Sequence, residues 1–154
     1  MTQEITQKPL EILVVDDDLD IRQLFETIIK GEGENVTTGI DGIDAVEKYV
    51  ARYEGGMPYD AVITDLAMPR ADGVVVVERV KNLHPNTQVI VITGYEPNEE
   101  YRILSDRLGQ LKPDGAVKKP MPLDGLIHII GQIKAVIERR KTEPDYQPDP
   151  GLLP

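Results

Sequence analysis

The chain has 154 residues, of which 40% are hydrophobic and 29% charged, and its formal net charge is −10. This composition predicts one soluble globular domain, excludes a collagen-like or wholly disordered chain, and leaves little room for a second domain. The chain contains no cysteine, which excludes disulfides, thiolate metal sites and thiol nucleophiles.

The negative net charge argues against direct binding of nucleic acid or anionic lipid by this chain. One small basic cluster, Arg139 to Lys141, is explained as a helix end, where cations suit the helix dipole. The N-terminal MTQEITQKPLE lacks an apolar signal core, and no segment has the apolar length of a membrane span. A cytoplasmic location is therefore predicted.

Apolar, β-branched runs of strand length occur at five places. They are Ile12–Val15, Val36–Thr38, Ala61–Thr64, Val89–Ile92 and Ala116–Val117. Segments with helical spacing alternate with them, and Asp18 and Asp41 are placed to cap the first two helices, while Pro122 precedes the last.

Each helix is predicted to bury the apolar residues that recur at intervals of three and four. In the first two helices these are Ile21, Leu24, Phe25, Ile28 and Ile29, then Ile43, Val46 and Val50. In the last two they are Tyr101, Leu104 and Leu108, then Leu126, Ile127, Ile130, Ile133 and Ile137.

The third helical segment, GVVVVERV from Gly73, is rich in residues that prefer strands. Taken alone it favours a strand. Its position between two strand candidates, and the ERVKN that closes it, favour a helix that covers a sheet.

Such alternation predicts an α/β fold with a doubly wound, five-stranded parallel sheet covered by helices on both faces. The domain is predicted to span residues 10–141, after a flexible N-terminus at 1–9. Residues 142–154, TEPDYQPDPGLLP, carry four prolines and little to bury, so a disordered tail or linker is predicted there.

Polar residues follow four of the predicted strands: Asp16 and Asp17, Asp65, Thr93, and Lys119. The carboxyl ends of parallel strands meet at one edge of a sheet, so we expect these side chains to lie together. Three carboxylates need a compensating cation, and Mg²⁺ prefers oxygen ligands. An aspartate beside Mg²⁺ can attack a phosphoryl group, whose other oxygens the threonine hydroxyl and the lysine ammonium can hold.

The motifs ILVVDDD, YDAVITDLAMPRADG, VIVITGY and VKKP occur in this order across residues 10–141. In them the chain resembles the receiver domains of two-component response regulators, which implies a flavodoxin-like fold. The resemblance implies that a histidine kinase or histidine phosphotransfer partner phosphorylates Asp65. It also implies that Asp16, Asp17, Asp65 and the backbone carbonyl of Ala67 bind Mg²⁺.

The resemblance further implies that Thr93 and Lys119 sense the phosphate. Lys118 competes for the lysine role, but the family's lysine stands directly before proline, as Lys119 does. In the family this Lys-Pro bond, here Lys119-Pro120, is cis. Apart from self-catalysed transfer to and hydrolysis from its own aspartate, no enzyme activity is implied.

Each signal has a simpler explanation when taken alone. A run such as Asp16 to Asp18 is more often a helix cap with solvated neighbours, and Asp65 a turn residue. Thr93 could simply end a strand, and Lys118 and Lys119 could be a solvated pair. Their conjunction at four strand ends favours the functional interpretation, and Asp18 keeps the role of a cap.

The sequence departs from the family at Ala116, where receivers usually carry a tyrosine or phenylalanine that responds to the threonine. We hypothesise that another side chain, such as Tyr95, responds instead. The segment between Thr93 and Lys119 is also longer than in typical members, with LGQLKPDG before the last strand.

Two other functions compete with this interpretation. A haloacid-dehalogenase-type phosphatase also uses a strand-end aspartate, a lysine and Mg²⁺, and Asp16 and Asp18 form its Asp-x-Asp pair. That interpretation leaves TDLAMPRADG unexplained. The second alternative is a receiver-like binding module that works without phosphate. It is suggested by Ala116, which stands in place of the usual aromatic residue.

The partner on the output side is not specified by the sequence. Nothing after Lys141 is expected to form an output domain, so the chain either acts through a separate partner or is part of a longer protein. A homodimer through the last two strand–helix units is a further expectation from the family.

Overall fold

The computed structural model describes residues 8–94, 98–119 and 122–148. Strands and helices alternate through them in the predicted order. The elements are β1 (Glu11–Val15), α1 (Leu19–Gly31), β2 (Asn35–Gly39), α2 (Gly42–Glu54), β3 (Ala61–Asp65), α3 (Gly73–Leu83), β4 (Gln88–Thr93), α4 (Glu99–Leu111), β5 (Gly115–Lys118) and α5 (Leu123–Arg140).

The five strands form one parallel sheet in the order β2-β1-β3-β4-β5. Helices α1 and α5 pack on one face, and α2, α3 and α4 pack on the other. The predicted doubly wound, five-stranded sheet is therefore confirmed. The strand order reverses between β1 and β3, which is where sheets of this kind place their ligands. None of the described helices has the length and apolar composition that crossing a bilayer needs.

The valine-rich segment from Gly73 is a helix, as its position in the chain indicated. Asp72 caps it by accepting a hydrogen bond from the backbone N–H of Val75 at 3.2 Å. The helix buries Val74, Val76, Val77 and Val80. Burial of four β-branched side chains against the sheet outweighs their modest preference for strands.

The structure corrects the buried face of α2. The sequence predicted burial of Ile43, Val46 and Val50, but Ile43 is exposed and both valines are only half-buried. The helix instead buries Gly42, Ala45 and Tyr49. A Cβ at Gly42 would lie 2.4 Å from the carbonyl oxygen of Ala71, so the helix approaches more closely than a branched face would permit. The Tyr49 hydroxyl can be buried because it pairs with the Thr87 hydroxyl at 2.7 Å.

Leu24 and Ile127 were also predicted to be buried, but they are 53% and 39% exposed. Helix α1 contacts the sheet through Phe25 and Ile29, and α5 through Leu126 and its neighbours along the same face. A residue one step away is rotated by about 100° around the helix, which turns Leu24 and Ile127 toward solvent.

Several predictions concern residues outside the described ranges. Tyr95, the hypothesised responder, and Pro120, part of the expected cis bond, both lie outside them. The N-terminal prediction rests largely on residues 1–7, which also lie outside. The domain boundaries and the C-terminal prediction stay predictions.

Candidate functional site

The candidate site lies at the carboxyl edge of the sheet. Asp16 directly follows β1, and Asp65 and Thr93 are the last residues of β3 and β4. The strand register pairs Asp65 with Ile92 and Thr93 with Lys118, so Lys119 emerges beside Thr93. A backbone hydrogen bond from Lys119 N to the Thr93 carbonyl, 2.7 Å long, extends that pairing by one step.

Three carboxylates form the acidic part of the site. Asp16, Asp17 and Asp65 each offer an oxygen, and these oxygens lie within 4.8 Å of one another. Asp16 is 4% exposed and Asp65 is 9% exposed, whereas Asp17 faces solvent. Asp16 and Asp65 thus form the buried part of the cluster, and Asp17 forms the part that is exposed to solvent.

Backbone hydrogen bonds orient the two buried carboxylates. Asp16 Oδ1 accepts from the N–H of Asp18 at 2.9 Å, and Asp65 Oδ1 accepts from the N–H of Leu66 at 2.9 Å. The second oxygen of each carboxylate points to the same cation. Lys119 Nζ lies 3.6 Å from Asp16 Oδ2 and 3.3 Å from Asp65 Oδ2. Lys118 is exposed, and Lys119 is the lysine of this pair that contacts both carboxylates.

Burial and charge shift the pKa values of these groups. Burial raises the pKa of Asp65 to about 6; the ammonium of Lys119 opposes this shift and the carboxylate of Asp16 adds to it. The pKa of Asp16 is also raised, chiefly by burial. Burial favours a lower pKa for Lys119, but Asp65 and Asp16 together outweigh it and raise that pKa above its ordinary value.

The charges of the site do not balance. When all three carboxylates are ionised, the ammonium of Lys119 leaves two negative charges without a partner inside the cluster. Closely spaced carboxylate oxygens, one of them open to solvent, are a ligand set that suits a hard divalent cation keeping several waters. The donor set therefore fits Mg²⁺.

The loop between β3 and α3 is held tightly against the site. Gly73 N donates to the Leu66 carbonyl at 2.7 Å, and a Cβ at Gly73 would lie 2.3 Å from the Asp65 carbonyl oxygen. Ala67 lies in this loop, two residues after Asp65, and is exposed. Only glycine permits this close approach, so the loop and the start of α3 fix where Asp65 lies.

Two further residues at the site escaped the sequence analysis. The Tyr101 hydroxyl, in the first turn of α4, reaches Thr93 Oγ1 at 3.5 Å, although spacing assigned Tyr101 only to a buried helix face. Arg22 Nη1 donates to the Asp16 carbonyl at 2.7 Å. Both residues lie near the starts of helices that begin at the carboxyl edge, which is the one sequence signal that could have indicated them.

Asp18 caps helix α1, as the sequence analysis predicted. Its carboxylate accepts from the N–H groups of Asp20 and Ile21 and caps α1. This use as a cap removes it from the Asp-x-Asp pair on which the phosphatase interpretation depends.

Curated relatives are similar to this chain in sequence. The chemotaxis protein CheY of Treponema pallidum is 35% identical over 92 residues, which are 59% of this chain and 62% of that relative. Response regulator MprA of Mycobacterium sp. (strain KMS) is 29% identical over 147 residues, 94% of this chain and 57% of the relative. The chain thus spans less than two thirds of the length of either relative.

Solved structures share the fold. A CheY-like response regulator receiver domain protein from Methanospirillum hungatei JF-1 has a TM-score of 0.71 at 22% identity, covering 86% of this chain and 99% of that one. A receiver domain protein from Clostridium thermocellum has a TM-score of 0.67 at 26% identity over 86% and 98%. The model of the response regulator receiver domain family matches residues 12–131. The chain therefore belongs to the receiver domain family of two-component response regulators.

Proposed function

We propose that this receiver domain accepts a phosphoryl group on Asp65 from the phosphohistidine of a histidine kinase or histidine phosphotransfer protein. The observation that carries the proposal is the position of Lys119, whose ammonium lies within 3.6 Å of both buried carboxylates. A cation in that place neutralises charge that arrives with a phosphoryl group and pairs with one of its oxygens.

Asp65 is the nucleophile of the proposed transfer. Leu66 N–H holds its Oδ1, so Oδ2 is the oxygen available to attack phosphorus. The new O–P bond forms as the P–N bond to the donor histidine breaks, and the electron pair of that bond stays on the imidazole. With a pKa of about 6, Asp65 is mostly ionised at pH 7, as the attack requires.

Asp16, Asp17 and Asp65, together with the backbone carbonyl of Ala67, are the proposed ligands of Mg²⁺. When bound, the ion supplies positive charge for one oxygen of the transferred group. The Thr93 hydroxyl is proposed to donate to a second oxygen, and Lys119 to pair with the third. Later hydrolysis of the aspartyl phosphate, by attack of water on phosphorus, returns Asp65 to its free form.

The phosphodonor is proposed to dock on the ends of α1 and α5 that border the site. These two helices pack against each other in one core, and both begin at the carboxyl edge. Leu19, Leu123 and Ile127 expose apolar side chains there. An exposed apolar patch beside a charged site is typical of a protein-binding surface.

The output partner, a homodimer and a cytoplasmic location also remain proposals. The support for an output is that the relatives described above are a chemotaxis protein and a response regulator, and that the match with the response regulator MprA covers only 57% of that relative. Sedimentation with and without a beryllofluoride mimic of the phosphate measures the predicted dimerisation.

The test is the intact mass after incubation with Mg²⁺ and acetyl phosphate, a small phosphodonor. We expect one added phosphoryl group on the wild-type protein, none on Asp65→Ala, and one on the matched control Asp60→Ala, which lies at the opposite edge of the sheet. No addition to the wild type, or an undiminished addition to Asp65→Ala, would overturn the proposal. Steady turnover of small phosphate esters would support the phosphatase alternative.

A further inference from the structure

The loop between β3 and α3, residues 66–72, contains a turn in an unfavourable backbone conformation. Arg70 has a φ of 71°, in the left-handed region that favours glycine. Ala71 N donates to the Pro69 carbonyl at 2.9 Å, which closes a three-residue turn around Arg70. Turns of this size with a positive φ at the central residue are rare and strained. Contacts from the rest of the fold must therefore hold Arg70 in this conformation.

Those contacts come from the start of α2. Arg70 Nε lies 3.1 Å from Oδ2 of Asp41, whose carboxylate is buried. The other oxygen of this carboxylate accepts from Asp44 N at 2.9 Å and caps α2. The next residue, Gly42, donates its N–H to the Ala71 carbonyl at 3.0 Å. Asp41 and Gly42 thus contact two successive loop residues, Arg70 and Ala71, and we call these two contacts the α2 clasp.

The clasp holds the loop that carries Ala67, a proposed ligand of the metal. In the part of the chain that the structure describes, no backbone hydrogen bond is made by the Ala67 carbonyl. On one side of it, Leu66 N donates to the Ile92 carbonyl at 3.1 Å. On the other side, Met68 packs half-buried against the core, and the turn at Arg70 follows. The direction of the Ala67 carbonyl therefore depends on both flanking segments, and the clasp fixes one of them.

We propose that Arg70 is a positioning residue for Mg²⁺, because its ion pair with Asp41 holds the loop in the conformation that turns the Ala67 carbonyl toward the carboxylates of the site. This inference rests on the proposed ligand set of the metal. The guanidinium offers no lone pair to a cation, so Arg70 acts through the loop backbone and not as a ligand. Removing a group that orients a metal ligand typically weakens metal binding by tenfold or more. We expect a loss of about tenfold when the ion pair is removed.

The charge of Arg70 offers a second way to influence the metal, and the two explanations predict different results. A cation near the site repels Mg²⁺, so charge alone predicts tighter binding without Arg70 and weaker binding without the anion of Asp41. In the clasp, removing either partner breaks the same ion pair, so both changes weaken Mg²⁺ binding. Removing both partners should then cost no more than removing one.

A double-mutant cycle on Mg²⁺ affinity tests the proposal, with the dissociation constant measured from amide NMR signals and without any phosphodonor. The variants are Arg70→Asn, Asp41→Asn and the double variant. Asparagine tolerates the left-handed conformation and is also a good helix cap, so each change removes mainly the charge. We expect binding about tenfold weaker in all three, and largely retained in Arg70→Lys. Lys48→Gln removes an ion pair with Asp44 inside α2 and is the matched control, which should leave the affinity unchanged.

Hydrogen exchange reports on the clasp directly. In Arg70→Asn the Gly42 amide, which donates to the Ala71 carbonyl, should exchange faster than in the wild type. Unchanged or tighter Mg²⁺ binding in Arg70→Asn, or opposite and additive effects of the two single variants, would overturn the proposal. Absence of Mg²⁺ binding by the wild type would instead overturn the proposed metal ligands, and with them this inference. The two failures are thereby distinguished.

Discussion

Removing the charge of Asp65 should stabilise the metal-free protein. Asp65 is a buried carboxylate whose pKa of about 6 lies above its ordinary value of 3.8. Ionisation of Asp65 at neutral pH therefore lowers the stability of the folded state. Asn is nearly the same size, and its side-chain oxygen can still accept the hydrogen bond from Leu66. We predict that Asp65→Asn raises the free energy of unfolding when no metal is bound.

The raised pKa of Asp65 determines how large this gain in the free energy of unfolding is and how it changes with pH. Because the folded-state pKa is raised, protonation of Asp65 contributes stability that is fully present below pH 3.8 and is lost as pH rises through about 6. The rise of the Asp65 pKa from 3.8 to about 6 corresponds to about 3 kcal/mol at neutral pH. The Asn amide would face the ammonium of Lys119 instead of a carboxylate, so we expect a net gain of about 1–3 kcal/mol.

Urea unfolding in EDTA at several pH values measures this gain. The difference between Asp65→Asn and the wild type should be largest above pH 7 and should shrink toward pH 4. Asp17→Asn, at the exposed member of the cluster, is the matched control and should change stability by less than about 0.5 kcal/mol. A variant that is less stable than the wild type at pH 7.5, or a difference independent of pH, would refute the reasoning.

Three further predictions concern neighbours of Asp65. Gly73→Ala places a Cβ 2.3 Å from the Asp65 carbonyl, so chemical denaturation should show a loss of about 1–3 kcal/mol or more; unchanged stability would mean that the loop yields. Lys119→Met removes the ammonium that lowers the pKa of Asp65, so a carbon NMR titration should show that pKa above its wild-type value, and a fall would contradict the assigned contact. Tyr101→Phe removes the hydroxyl that reaches Thr93, so it should leave phosphorylation intact but reduce the change in the α4 amide signals on beryllofluoride binding; an unreduced change would mean that this hydroxyl does not link Thr93 to α4.

The order of elements and the site at the sheet edge could be predicted from the sequence because both follow from local patterns. The valines from Val74 to Val80 form a helix where propensity alone favoured a strand, and only the alternation of the whole chain indicated it. Asp16, Asp65 and Lys119 were placed together because parallel strands bring their ends to one edge.

What the sequence did not predict depends on contacts between distant segments. Tyr49 is buried because Thr87, far along the chain, offers its hydroxyl a partner. Gly42 packs closely because the Ala71 carbonyl lies above it. Tyr101 meets Thr93 because α4 begins over the end of β4. Apolar spacing within one helix contains no information on such partners.

Locating the phosphoryl group tests the central claim most directly. After incubation with Mg²⁺ and acetyl phosphate, borohydride reduction of the acyl phosphate marks the modified carboxyl, and peptide mass mapping identifies the residue. Our account predicts that the mark falls on Asp65 alone. A mark on Asp16 or Asp17, or no mark on a correctly folded protein, would contradict it.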